Sequence, residues 1–204
     1  MNLQERHSEL LVSIGENTNE IDGLWKNLAK AYSGKSRYYH NLNHLKEMIE
    51  LFDIYYNNLK NPNEVLYSIF YHDYIYKATR KDNELKSAEH AVAILPDVIS
   101  LNKPFVFDAI CATKLHQHNE IEDINWLIDF DLKILSKDWE AYQTYCNQIR
   151  KEYKIYPNFL YKPGRIKALE HFLEQEFIYK TEVFRNLFDE KAKANIKKEI
   201  TLLT

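Results

Sequence analysis

Residues 65–84 read VLYSIFYHDYIYKATRKDNE, and this stretch decides how the rest of the chain is read. On a 3.6-residue period Val65, Ile69 and His72 share one helical face, and Leu66, Ile69, Phe70 and Asp73 share its edge. An imidazole and a carboxylate therefore continue a stripe that should be buried. A buried carboxylate is costly unless something pairs with it, and a metal ion is one such partner.

Working outward, the flanks are helical too. Pro62 is placed to open the helix that carries His72 and Asp73, after a stop at Asn61-Pro62-Asn63. Before it, Leu45, Met48, Ile49, Phe52, Tyr55, Tyr56 and Leu59 form an amphipathic run that starts near Asn41 or Asn43, with His44 at its inner edge. Residues 1–32 read as one or two helices ending at Ser33-Gly34-Lys35-Ser36. After a polar loop from Lys77 to Asn83, a helix from about Glu84 to Leu95 turns Leu85, Ala88, Val92 and Leu95 inward. From Pro104 the run FVFDAICATKLHQH reads as helix, with Ala109, Ala112, Thr113 and His116 on one face. Between Ile121 and Leu135, Ile124, Leu127, Ile128, Ile134 and Leu135 form another apolar stripe, and Asp131 sits inside it. A helix from Trp139 to Tyr153, a break at Tyr156-Pro157-Asn158, a turn at Pro163-Gly164 and long polar helices complete the chain. In these last helices Phe172, Leu173, Phe177, Phe184, Leu187 and Phe188 are expected inward.

Composition agrees with an all-α fold. The 204 residues are 45% hydrophobic with only 4 Gly and 5 Pro, too little turn chemistry for a many-stranded sheet, and long enough for one domain spanning 1–204. A net charge of −3 gives no footprint for nucleic acid, and no apolar run reaches membrane length. The polar start MNLQERHSEL lacks a signal-peptide core, so a cytoplasmic protein is expected, with Cys111 and Cys146 as free thiols. Nothing demands an oligomer, although a dimer is compatible. His7 reads as a surface residue, His90 and His171 as hydrogen-bonded core residues.

Three helices thus bring ionisable groups to buried faces: His44, then His72 with Asp73, then Asp131. The economical solution is that they meet around one divalent cation. Two imidazoles and two carboxylates suit Mn, Fe, Co, Ni or Zn better than magnesium. Four protein ligands leave room for water or substrate only at coordination five or six, which argues against tetrahedral zinc.

The order His44, His72-Asp73, Asp131 resembles the H…HD…D signature of the HD superfamily of metal-dependent phosphohydrolases. More narrowly, YHNLNHL at 39–45, FYHDYIY at 70–76, DNELKSA at 82–88, TKLH at 113–116 and DFDLKIL at 129–135 resemble a small phosphohydrolase branch of it. The similarity extends through YKPGRIKALEHFL at 161–173 and EKAKANIKKEI at 190–200, nearly the whole chain. The resemblance implies an HD-type helical bundle with long C-terminal packing helices. It makes His44, His72, Asp73 and Asp131 the metal ligands, with His40 a competitor for the first position and Asp129 a supporting residue or helix cap. It further implies hydrolysis of a phosphate ester or anhydride of a small molecule, a nucleotide among the candidates. Asp73, Glu84 and His116 would serve catalysis, and Arg37, Lys77, Arg80 and Lys114 would hold phosphate, Arg37 foremost because its planar fork matches phosphate oxygens. Two other readings stay open: a di-iron oxygenase on the same kind of scaffold, with His116 or His118 as extra ligand, and a module that binds a phosphorylated ligand without turnover.

Overall fold

The computed structural model describes residues 2–96 and 100–204. Among these the fold is all-helical: α1 (Leu3–Ser13), α2 (Thr18–Tyr32), α3 (Leu42–Ile54), α4 (Pro62–Tyr71), α5 (Asn83–Ala93), α6 (Lys103–Ala112), α7 (Glu122–Leu132), α8 (Trp139–Glu152), α9 (Asn158–Leu173) and α10 (Glu182–Leu203), with short 3₁₀ turns after α3 and α7.

The helix that opens the sequence reading is the hub. α4 packs against α1, α3, α5, α6 and α7. Every residue from Val65 to Tyr71 is buried, so it is not amphipathic but surrounded. Pro62 sits in its first turn, where the missing N–H costs nothing. The helix stops at Tyr71, earlier than the periodicity suggests. His72 caps it, and Asp73 lies beyond. The reason is competition for backbone donors: Asp73 N–H goes to the Tyr32 hydroxyl (3.2 Å) and Ile75 N–H to Ser87 Oγ (3.0 Å), so tertiary partners replace the helical ladder.

Other departures have equally local causes. α6 ends at Ala112, and His116 leaves it in the left-handed region at φ 49°, so it stands in a loop and not on the helical face expected for it. Leu85 is 39% exposed, because α5 turns Ser87, Ala88 and Ala91 toward α6 instead. Pro163-Gly164 is no turn: both lie inside α9, where Pro163 deprives only the carbonyl of Phe159, in the exposed first turn, of its helical partner. Phe177 and Leu187 are exposed, while Phe184 carries the packing of α10. His7 is fully buried, edge-on to Phe70 with ring centroids 5.0 Å apart, because it shares the α1 stripe of Leu10, Leu11 and Ile14. His171 is exposed, and His90 stacks on Tyr74 at 4.0 Å. Cys111 and Cys146 are free thiols. No helix of the described residues is long and apolar enough to cross a membrane.

Candidate metal centre

Asn41 caps α3 by accepting the Asn43 N–H at 2.8 Å, which fixes the first turn and points His44 inward from its third residue. His72 follows the last turn of α4, and its Nδ1–H donates to the Ile69 carbonyl at 2.9 Å. That bond selects the tautomer. In neutral His72 the Nε2 lone pair is bare, and it looks into the protein. α7 supplies Asp131 from its penultimate residue.

These groups converge. His44 Nε2 lies 3.3 Å from His72 Nε2 and 3.1 Å from Asp131 Oδ1, and His72 Nε2 is 3.9 Å from the same oxygen. His44, His72 and Asp131 each place one donor within 4.8 Å of the other two, a group that could hold a metal ion. Asp73, expected as a fourth ligand, is not one of that group; it touches it through His72, its Oδ2 at 3.2 Å from Nε2. Donors bound at about 2.1 Å and roughly at right angles sit about 3 Å apart, so the spacing suits a common cation. The electrostatics agree. Burial alone would lower the His72 pKa, but Asp73 and Asp131 outweigh it and push the imidazole up to about 9. Burial likewise works against the carboxylates, yet the imidazoles hold Asp73 and Asp131 well below the usual carboxylate range. The pocket asks for positive charge, which a proton or a metal ion can supply.

His40, the rival to His44, is engaged elsewhere. Its Nδ1 bonds Glu152 Oε2 at 2.6 Å, and Oε1 of the same carboxylate accepts the N–H groups of Tyr38, Tyr39 and His40. Tyr76 donates its hydroxyl to Glu152 Oε2 at 2.7 Å and stacks on His40 at 4.2 Å. Glu152 and Tyr76 are therefore parts of the site that the sequence reading missed. A separation of 112 positions along the chain between His40 and Glu152 leaves no local spacing to betray the pair. Asp129, two residues before Asp131, points away and accepts from Lys180 N, Thr181 N and Thr181 Oγ1, tying α7 to the entrance of α10.

The expected phosphate contacts divide. Arg37 does not line the cluster's clefts: its guanidinium donates to the carbonyls of His40 (3.0 Å) and Tyr74 (2.9 Å) and lies over Tyr32, joining the two histidine-bearing segments. Lys77 is exposed, and its backbone closes a ring with the Asn83 side chain. Arg80, Lys114 and Glu84 line a polar cleft of about 500 Å³ over His72, Asp73 and Asp131, together with Lys81. Arg80 shares its fork with Asp82, and Lys114 Nζ holds the Lys81 carbonyl at 2.7 Å. His116 completes the group, its Nε2 at 3.2 Å from Asp131 Oδ2.

Fold and site together define an all-helical protein with a buried two-histidine and carboxylate cluster spaced as metal donors are. No family model matches the chain, and no curated protein or solved structure matches it.

Proposed function

We propose that the chain is a metal-dependent phosphohydrolase acting on a phosphate ester or anhydride of a small molecule. The observation that carries this reading is the convergence of His44, His72 and Asp131, with His72 Nε2 turned toward the other two by the Ile69 carbonyl, beside a cleft lined by Arg80, Lys81 and Lys114. His44, His72, Asp73 and Asp131 would hold one divalent ion, and their mixed nitrogen and oxygen set suits Mn, Fe, Co, Ni or Zn. Such an ion supplies an acidified water and a polarised phosphoryl oxygen.

The chain's own groups do the rest. Lys81, Lys114 and Arg80 on the rim balance phosphate charge. Asp73, held ionised by His72 and His40, suits a ligand better than a base, so the proton leaving water passes to Glu84 on the cleft wall. Water oxygen would bond phosphorus as the bond to the leaving oxygen breaks; His116, as imidazolium, would give its proton to that oxygen and regain one from solvent, to which Glu84 releases the proton it took. The free thiols fit a reducing compartment such as the cytosol.

The test is phosphate release from metal-loaded protein across a panel of esters and anhydrides. His116→Ala is expected to keep its metal and lose about 10²–10⁴ in kcat. No phosphate release with any of the five metals would overturn the reading, as would two irons per chain with consumption of dioxygen.

A further inference from the structure

The cluster opens on two sides, and the sides differ in chemistry. Asp131, His116, His40, Lys114 and Tyr153 line both the polar cleft and a second cleft of about 560 Å³ that runs between α8 and α9. Away from those shared residues the second cleft is built mostly of rings and aliphatic side chains, among them Tyr145, Tyr161, Phe172, Ile149 and Leu135. Its size is that of a small organic molecule.

Four features say what would fill it. Leu115 and Leu160, both on its wall, are each 54% exposed, a cost that an apolar occupant would remove. The α9 wall is cut back: Gly164 and Ala168 stand one helical turn apart on it, and a Cβ added at Gly164 meets nothing within 4 Å. The wall's guanidinium is not on offer to an anion, since Arg165 is gripped by both oxygens of Glu199, at 2.8 and 3.1 Å. No Asn, Gln, Ser or Thr occurs among the described lining residues, so away from the metal cluster the polar groups of the wall are mainly tyrosine hydroxyls at the edges of rings, a lining that suits a ring better than the many hydroxyls of a sugar.

We propose that this cleft seats the apolar, ring-bearing half of the substrate, which makes the substrate a phosphate ester of an aryl or arylalkyl alcohol and not a nucleotide or sugar phosphate. The inference rests on the phosphohydrolase reading for the phosphate half only; the ring half rests on the cleft itself.

Calorimetric titration of metal-loaded protein with compounds that cannot be hydrolysed tests it: naphthylmethylphosphonate, methylphosphonate, a nucleoside 5′-phosphonate, and naphthylmethanol. Naphthylmethylphosphonate is expected to bind roughly tenfold or more tighter than methylphosphonate, and tighter than the nucleoside compound. Gly164→Leu, and independently Ala168→Leu, should bring the ratio of the first two affinities close to one. Equal affinities in wild type, a ratio unmoved in both variants, or preference for the nucleoside would each overturn the proposal. Naphthylmethanol binding as tightly as its phosphonate would instead overturn the phosphate reading, and with it the phosphate half of the substrate, while leaving the ring site standing.

Discussion

At the scale of single residues, the pair Asp129 and Asp131 separates structure from chemistry. Both occur in DFDLKIL, and both are buried or nearly so. Asp129 satisfies three donors at the start of α10, whereas Asp131 faces His44, His72 and His116. Asp129→Ala is therefore expected to destabilise the fold by about 2–3 kcal/mol, by orphaning buried donors, with metal per folded chain unchanged. Asp131→Ala should do the reverse: lose the metal and remain a folded helical protein. Urea unfolding and elemental analysis on the two variants check this. His44, His72 and Asp131 were legible in the sequence because each is a polar residue set in an apolar helical stripe. Arg37 is ambiguous in sequence for a related reason. A guanidinium near a histidine motif looks the same in sequence whether its fork meets phosphate or, as here, two backbone carbonyls.

At the scale of elements, most caps and breaks are legible, the turn expected at Pro163-Gly164 apart, and so are the ends of α2 and α8, but the ends of α4 and α6 are not. Asn41 and Pro62 announce α3 and α4 through local chemistry. The end of α4 depends on Tyr32 and Ser87, which reach it only in the folded chain. His7 shows a signal that was present and overlooked: its spacing to Leu10, Leu11 and Ile14 already placed it on the buried stripe of α1. There, against α4, burial lowers its pKa from 6.5 to about 4. The neutral ring is the folded form, and the unfolded chain binds the extra proton. This contribution to stability is complete above about pH 6.5 and fades as pH falls toward 4, amounting to about 3 kcal/mol. His7→Phe should flatten the acid limb of stability over that window. Denaturant unfolding at several pH values measures it, and an unchanged slope would place the acid sensitivity elsewhere.

At the scale of the whole molecule, the fold class follows from composition and period, since few glycines and prolines with repeated i, i+3, i+4 stripes leave little but a helical bundle. The division of the site into a charged cleft and a ring-lined cleft does not. It arises where α8 and α9 close over the loop carrying His116, and the contributing residues run from Tyr39 to Phe172. In the function proposed here, the cluster at the meeting point of these clefts holds one metal ion. Its most direct test is elemental analysis of protein purified without added metal or chelator, beside His72→Ala. Close to one transition-metal ion per chain in wild type, lost in a variant that stays folded, is the expected result. Wild-type protein that carries no metal and takes none up on titration would contradict it.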